Sequence, residues 1–419
     1  MKSVENLRNL INRVKSHFVS DQVQNFVLFL DDFFPSENIF DFFGFPFLNR
    51  LHNAEDEKVK VRKRKFFWLS LLTALIIIGL LVVNFLITFG NSEKFPETIE
   101  SFCFTGGYTF CLLRCFHLCY WKRDTIRAII DKLDQHFPHS SRDQLNFEVH
   151  KHQRNLKKLY RICLILYIIV WLNYSVIALF SFISEYFGLG FMKIKLAMPI
   201  YFPLDPYQPM FYLLIFIVEC STLLVFALTL AAIDVLFCGL VCVLSLEFDV
   251  LAQKLAQIDP ESDENVEKKL SAIIDDYNEL SLIGNELEEI FSLILLVNVF
   301  SSITMLCTVV FFIFTPIEFS LMMNFIPALP GVSNQLFCTC YYGQLLETSS
   351  LRVADEAYNC NWHGKNLKFR KMILLTMLRA QKPQKLTGWK FMDIGLPAFY
   401  WVLQTTYSYF SFLSGLYES

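Results

Sequence analysis

The chain has 419 residues, of which 54% are hydrophobic and 44 are phenylalanine. A soluble domain is typically about 45–50% apolar, so this composition argues against a soluble protein and indicates a membrane protein. The formal net charge of −3 offers no excess of basic residues for a nucleic-acid partner.

The N-terminal region, residues 1–65, begins with a segment that lacks the features of a signal peptide. A signal peptide has a basic start, a short apolar core and small residues before its cleavage site. Residues 1–20 instead alternate Leu, Ile and Val with Lys, Arg and Asn. This pattern predicts a short amphipathic helix in the cytoplasm or on the membrane surface.

Seven segments are long and apolar enough to cross a bilayer, which requires about 20 mostly apolar residues in a helix. The second carries Arg114 and His117, the sixth is interrupted by Pro327 and Pro330, and the seventh has Pro397 near its start. The fourth is too long for one crossing, so we expect it to project from the membrane. The predicted spans are, in chain order, 66–89, 99–120, 160–187, 210–246, 290–314, 322–346 and 392–416.

The Lys and Arg residues of the connections predict the orientation, because cytoplasmic loops carry an excess of both. With seven spans, and with Arg161 at the start of the third span counted with the connection before it, 33 of the 37 Lys and Arg residues lie on one side of the membrane. Only Lys94, Lys193 and Lys195 lie on the other side, and Arg114 lies within a span. This asymmetry predicts a cytoplasmic N-terminus and an external C-terminus, the reverse of the orientation of G-protein-coupled receptors.

Charged residues within the predicted spans need a partner or water. Arg114 and Asp234 both lie toward the cytoplasmic side, so they are candidates for a structural ion pair, although Arg114 can instead extend to the membrane surface. Glu219 lies nearer the outer side and is a candidate for facing a water-filled cavity. All of the 12 cysteines except Cys360 lie in apolar segments, so we expect free thiols rather than disulfides.

Two polar segments, 247–289 and 349–391, are expected on the cytoplasmic side. The first alternates acidic residues with Leu, Ile and Val at helical spacing, and Asp259 and Pro260 break it into two helices. The second is basic. Their opposite charges predict that they pack together in one cytoplasmic layer. The alternative is a pair of independent, solvated amphipathic helices.

The sequence contains no motif that points to catalysis. It has no P-loop, no nucleophile elbow and no zinc-protease helix. The pairs His136–His139 and His150–His152 lack further ligands to complete a metal site. We therefore expect neither an enzyme nor a metal site nor a cofactor.

The C-terminal third carries an ordered set of short motifs. Residues 358–364 read YNCNWHG, Phe369 and Arg370 follow, residues 374–391 read LLTMLRAQKPQKLTGWKF, and residues 406–416 read TYSYFSFLSGL. In this order and spacing, and with the cytoplasmic N-terminus, they resemble the insect odorant receptor family over essentially the whole chain. The resemblance implies an all-α membrane protein with seven transmembrane helices, a cytoplasmic N-terminus and a cytoplasmic helical anchor layer.

The resemblance also implies that the chain is one subunit of a tetrameric, odorant-gated, non-selective cation channel. It implies a place in the plasma membrane of olfactory sensory neuron dendrites. In such channels an odour-specific subunit assembles with a shared co-receptor, which carries a large insertion between its fourth and fifth spans. Here that connection is only 247–289, so the chain resembles the odour-specific subunit. The implied partners are the co-receptor, a small odorant, membrane lipid and the permeating cations.

The resemblance places the odorant pocket between the outer halves of the second, third, fourth and sixth spans. On the third span Tyr174, Ala178 and Phe182 share one face by i+4 spacing. We expect an apolar pocket into which no charged group points, suited to small, neutral, volatile molecules, although each residue can equally be ordinary core. The candidates are Phe104, Tyr108, Tyr174, Ala178, Phe182, Met210, Leu213, Leu214, Ile217, Leu329, Val332 and Leu336.

The last span carries polar groups within a predicted membrane helix. Gln404, Tyr407, Ser408 and Ser411 share one face by i, i+3, i+4 and i+7 spacing, and the resemblance implies that this span lines the pore. A hydrated pore satisfies such groups and lipid does not, while packing against a neighbouring helix is the alternative. By resemblance, Tyr407 and Ser411 lie where the co-receptor has its apolar gate, so we expect this subunit to contribute weakly to closing.

Three other functions remain open from the sequence. A gustatory-type receptor shares the topology but usually assembles without the co-receptor. A secondary transporter often shows paired halves, whereas no internal repeat is visible here and seven spans do not divide equally. A membrane enzyme has the least support, because no catalytic motif is present.

Overall fold

The computed structural model describes residues 29, 33–34, 57–90, 95–188, 196–201, 209–258, 265–314 and 325–418. Several sequence predictions lie outside the described residues. They are the amphipathic segment 1–20, the start of the sixth span at 322–324, and the helix break at Asp259 and Pro260.

The described part of the chain is almost entirely helical, and each of the seven predicted spans falls on a helix. Four of these helices, α1, α5, α6 and α7, are long and apolar enough to cross a membrane by length and composition. The elements are α1 (Glu57–Thr88), α2 (Phe95–Phe116, continued by a π-helical turn at His117–Trp121), α3 (Arg123–His136), α4 (Ser141–Asn146), α5 (Val149–Tyr186), α6 (Pro209–Ala256), α7 (Val266–Phe314), α8 (Ala328–Asn359), α9 (Leu367–Ala380), the strands β1 (Thr387–Gly388) and β2 (Met392–Asp393), and α10 (Leu396–Glu418).

Helices α6 and α7 extend well beyond the membrane. They contain 48 and 49 residues. At a rise of 1.5 Å per residue each is about 72 Å long, more than twice the roughly 30 Å of the hydrocarbon core. The fourth span therefore projects from the membrane, as predicted. The acidic segment 247–289 includes the continuous ends of α6 and α7, and its helices are not separate from the spans.

The prolines of the sixth span mark the start of a helix. Helix α8 begins at Ala328, with Pro327 as its N-cap and Pro330 in its first turn. The first N–H groups of a helix have no intrahelical partner, so proline is tolerated there. Phe325 is helical and residues 326–327 form a turn before α8, so the predicted interruption is confirmed at Pro327, whereas Pro330 lies within α8 and does not interrupt it. Pro397 occupies a similar position in the first turn of α10.

The main hydrophobic core surrounds the cytoplasmic half of α6. Residues 231–248 of this helix are all buried, because α5, α7 and α8 pack around it. A helix that is apolar on every side is suited to this central position. Helix α3, in the connection between the second and third spans, adds Ile126, Ile129 and Leu133 to the same core. The sequence analysis predicted no packing for this connection.

The acidic ends of α6 and α7 pack against the basic C-terminal segment. Lys368 Nζ lies 2.7 Å from Glu267, and Arg352 Nη1 lies 3.4 Å from Asp249. The predicted association of the two segments is therefore confirmed, and the alternative of independent helices is wrong. Exposed ion pairs of this kind contribute little net stability because solvent screens them, so the buried apolar contacts supply most of the stability of this layer.

The β1–β2 hairpin connects this cytoplasmic layer to α10. Thr387 Oγ1 donates to Glu288 on α7 at 2.6 Å. Lys385 Nζ pairs with Asp393 at 2.8 Å and with Glu347 on α8 at 3.1 Å. The carboxylates of Asp393 and Glu347 raise the pKa of Lys385 above its ordinary value. These contacts fix the start of α10 against α7 and α8.

Candidate functional site

A second hydrophobic cluster, called the outer cluster below, lies between α1, α2, α5 and α6. It is separate from the main core and lies toward the predicted external ends of these helices. Phe104, Trp171, Phe216 and Phe226 pack against it from positions that are only partly buried. Its buried members are Ile77, Leu81, Tyr108, Tyr174, Ala178, Ala197, Met198 and Leu223.

The outer cluster contains most of the pocket candidates from the second and third spans. Tyr108, Tyr174 and Ala178 are buried in it, and Phe104 meets Tyr174 edge-on with ring centroids 5.2 Å apart. Phe182 lies one turn beyond Ala178 on α5. Helical spacing places Tyr174 and Ala178 together on α5, and the contact between Phe104 and Tyr174 joins α2 to them.

The candidates on α6 lie on a different face from the one that packs on the outer cluster. Tyr212 faces the bundle and stacks on Phe182 with ring centroids 4.4 Å apart. Leu213, Leu214 and Ile217 are 45%, 65% and 64% exposed. Because this stretch of α6 is apolar on nearly every side, its sequence gives no signal for the face that turns inward.

The candidates on α8 also lie apart from the outer cluster. Leu336 is buried in the main core, and Leu329 and Val332 pack against that core. The side chain of Met210, at the start of α6, lies outside the described residues. Four of the twelve candidates, on α2 and α5, thus meet at the outer cluster.

An external connection contributes residues that the sequence analysis missed. Ala197 and Met198 are buried in the outer cluster. Tyr108 Oη donates to Met198 Sδ at 3.4 Å, and Ala197 N donates to Glu219 Oε2 at 3.0 Å. Residues 196–201 read LAMPIY, and an apolar run in an external loop is the signal that would have predicted its burial.

Glu219 places a carboxyl group at the edge of this apolar cluster. The side chain is 2% exposed, and Leu223 of the outer cluster follows it by one turn on α6. An ionisable group therefore lies beside the apolar cluster in which the sequence analysis expected no charged group.

A buried polar network lies on the cytoplasmic side of the outer cluster. Arg114 Nη2 lies 2.5 Å from Asp234 Oδ1, which confirms the predicted pair. Tyr167 Oη and Gln335 Nε2 each donate to Asp234 Oδ2 at 2.8 Å. The four side chains join α2, α5, α6 and α8, and they compensate the charges within the bundle. The sequence did not predict the roles of Tyr167 and Gln335.

The four pore candidates all lie on the exposed face of α10. Gln404, Tyr407, Ser408 and Ser411 are exposed, whereas the opposite face buries Val402 and Thr406 against α7 and α8. Tyr407 is 70% exposed. This polar face is thus not covered by the described part of its own chain.

Comparison with known sequences gives a family match over most of the chain. The family model described as 7tm Odorant receptor matches residues 94–407. Odorant receptor 85c of Drosophila melanogaster is 19% identical over 369 residues, which cover 87% of this chain and 94% of the relative. Odorant receptor 85b of the same species is 21% identical over 374 residues, with the same two coverages.

Comparison with solved structures gives the same fold. The insect olfactory receptor OR5 from Machilis hrabei in complex with eugenol matches with a TM-score of 0.76 at 14% identity, covering 95% of this chain and 100% of that one. A second structure of the insect olfactory receptor OR5 from Machilis hrabei matches with a TM-score of 0.73, covering 91% of this chain and 99% of that one. The predicted all-α, seven-helix membrane fold is thereby confirmed.

Proposed function

The chain belongs to the 7tm odorant receptor family, and from that premise we propose that it is the odour-specific subunit of a ligand-gated cation channel. In this proposal it binds a small volatile odorant and opens a non-selective cation pore together with the odorant receptor co-receptor. The family is one of receptors, so the chain is not an enzyme. We place it in the plasma membrane of olfactory sensory neuron dendrites.

The polar face of α10 is the observation that carries this proposal. Gln404, Tyr407 and Ser408 are exposed along one face of a helix that begins at the cytoplasmic layer and runs toward the external side. Lipid satisfies none of these groups, whereas water in a central pore satisfies all of them. Four subunits arranged around one axis would place four such faces around a hydrated path.

The outer cluster is the proposed odorant site. Its aromatic side chains come from α2, α5 and α6, and Tyr108 and Phe226 stack with ring centroids 4.2 Å apart. Odorant pockets are expected to be largely apolar with few polar groups, and this cluster has that character. Of the candidates from the sequence, we retain Phe104, Tyr108, Tyr174 and Ala178 for ligand contact.

The network around Asp234 offers a physical connection between the odorant site and the pore. It joins α2, α5 and α6, which form the outer cluster, to Gln335 on α8, and α8 packs against α10. A ligand that favours one arrangement of α2 and α6 would shift the position of α8 and hence of α10. The ligand can shift this equilibrium only by its difference in affinity between the two arrangements.

The exposed apolar side chains of the cytoplasmic layer support assembly with other subunits. Leu375, Leu378 and Phe391 are 66%, 63% and 80% exposed, although this layer lies outside the lipid. Apolar surface of this kind in water marks a protein interface. In the proposed tetramer these residues contact neighbouring subunits, including the co-receptor.

Whole-cell recording with a broad odour panel tests the proposal. Cells express this chain alone, the co-receptor alone, or both together, and surface delivery is measured in each case. We expect odour-specific cation current only when both subunits are present. Equal current from this chain alone would favour a gustatory-type receptor, and saturable uptake of a substrate without channel current would favour a transporter.

A further inference from the structure

Half of the Glu219 carboxyl group is buried without a hydrogen-bond partner. Oε2 accepts from Ala197 N at 3.0 Å. Oε1 is buried as well, and none of the described residues donates to it. Buried polar atoms in proteins are nearly always hydrogen-bonded, so an unsatisfied carboxyl oxygen marks a place where a ligand or a water molecule belongs.

This oxygen lies at the outer cluster and not in the main core. Leu223 and Phe226 follow Glu219 on α6 at i+4 and i+7, so the three share one face of the helix. Leu223 is buried in the outer cluster, and Phe226 packs against it. Ala197, which binds Oε2, is itself a buried member of the cluster. Glu219 thus belongs to the wall of the proposed odorant site.

The neighbouring polar groups are already engaged with other parts of the chain. Tyr108 Oη donates to Met198 Sδ at 3.4 Å, and Trp171 Nε1 donates to the carbonyl oxygen of Cys220 at 2.9 Å. The rest of the wall consists of aromatic and aliphatic side chains. Oε1 of Glu219 is thus a buried carboxyl oxygen in the wall to which none of the described residues donates, and it is placed to bind the polar group of a ligand.

We propose that Glu219 Oε1 hydrogen-bonds the hydroxyl group of the odorant, and that the chain recognises small alcohols or phenols. This inference rests on the proposed function and deepens it. A hydroxyl group both donates and accepts, so it pairs with the carboxylate as a donor and with the neutral acid as an acceptor. An ether oxygen only accepts, and a hydrocarbon does neither. The apolar part of the odorant packs against the aromatic wall.

Matched odorant pairs test this inference in cells that express the chain with the co-receptor. The panel contains primary alkanols, phenols, the methyl ether of each, and the corresponding hydrocarbons. We expect the most potent alcohol or phenol to have a half-maximal concentration at least about tenfold below that of the corresponding hydrocarbon, as expected from one buried hydrogen bond. The methyl ether, which can pair only with the neutral acid, should lie between the two. No such preference in the wild-type channel would overturn the inference.

Three variants assign the preference to Glu219. In Glu219→Met, which has similar size and only a weakly accepting thioether, the preference for the alcohol over the hydrocarbon should fall below about threefold, while the response to the hydrocarbon remains. Glu219→Gln retains a polar group of the same shape and should keep most of the preference. Val218→Met, one residue away and 47% exposed, is the control and should behave as wild type.

The responses of the variants separate failure of the inference from failure of the proposed function. An unchanged alcohol preference in Glu219→Met would overturn the inference, as would a wild-type preference for amines or hydrocarbons over alcohols. If Glu219→Met does not reach the surface, the wild-type pairs and Glu219→Gln decide. Channels that reach the surface but respond to no member of a broad odour panel would overturn the proposed function itself.

Discussion

Arg114 and Asp234 form a charged pair inside the bundle, and each depends on the other for compensation. The side chains are 4% and 10% exposed, and two further nitrogens of Arg114, Nε and Nη1, have no partner among the described residues. A buried pair of this kind contributes little net stability compared with apolar residues, but removal of one partner leaves an uncompensated charge. Single and double variants of this pair therefore test whether the two charges compensate each other.

Breaking this pair from one side should destabilise the protein more than removing both charges. We expect Arg114→Met or Asp234→Asn alone to cost about 3–5 kcal/mol, and the double variant to recover most of that loss, because Asn retains hydrogen bonds to Tyr167 and Gln335. The measurement is the thermal unfolding midpoint of the purified complex in detergent. Losses that simply add in the double variant would show that the two side chains do not act as a pair.

Ala178 provides a direct test of the outer cluster as the odorant site. It is 1% exposed and its carbonyl oxygen accepts from Tyr212 Oη at 2.7 Å. We expect Ala178→Trp to fill space that the odorant occupies, and so to change the dose–response curves while the channel still reaches the surface. The control is Val176→Trp, because Val176 is 58% exposed on the same helix. Unchanged curves over a broad odour panel would remove Ala178 from the site.

The sequence predicted individual site residues only where local spacing was decisive. Tyr174 and Ala178 are one turn apart on α5, and this spacing correctly placed both in one cluster. Leu214 and Ile217, which the resemblance and not the spacing suggested, are exposed outside this cluster, because an apolar stretch of helix does not reveal its inward face. The link between Glu219 and Ala197 was beyond prediction, since it depends on how an external loop folds back into the bundle.

At the scale of elements, α10 carries the clearest division between a covered and an uncovered face. Ser408 is exposed, and Thr406, two residues earlier, is 7% exposed and donates to the carbonyl oxygen of Val402. We expect a charged thiol reagent applied during odour stimulation to reduce the current through Ser408→Cys by more than half. Current through Thr406→Cys should not change, because that position packs against the chain.

Wild-type channels provide the background for this measurement, since the chain has 12 cysteines of its own. Equal modification of both variants would contradict the proposed pore face. Modification of Thr406→Cys alone would mean that α10 turns its other side to the permeation path.

Long elements were easier to predict than their ends and their connections. Helices lie at the apolar runs, and four of them are long and apolar enough to cross a membrane, because a bilayer demands long uninterrupted apolar helices. The boundaries were less accurate, since α5, α6 and α7 continue into the cytoplasm with amphipathic sequence. Helix α3 was not predicted to be part of the core. Its buried residues alternate with charged residues, and a solvated amphipathic helix has the same pattern.

At the scale of the whole molecule, the uneven distribution of Lys and Arg and the number of spans together predict the orientation of the chain in the membrane. An odd number of crossings and 33 Lys and Arg residues on one side define which ends of the helices meet the cytoplasm. That orientation assigns the layer formed by α7, α8 and α9 to the cytoplasmic side and the outer cluster to the external side. It also sets the direction in which α10 crosses the membrane. The fold match supports the helix arrangement, while the sidedness comes from the charges.

Labelling of epitope tags on intact and permeabilised cells tests the orientation most directly. One tag precedes Met1 and the other follows Ser419, and both are measured in the same expressed complex. The account predicts that antibody binds the C-terminal tag on intact cells and the N-terminal tag only after permeabilisation. An N-terminal tag that is labelled on intact cells, with a C-terminal tag that is not, would contradict the orientation and with it the proposed channel.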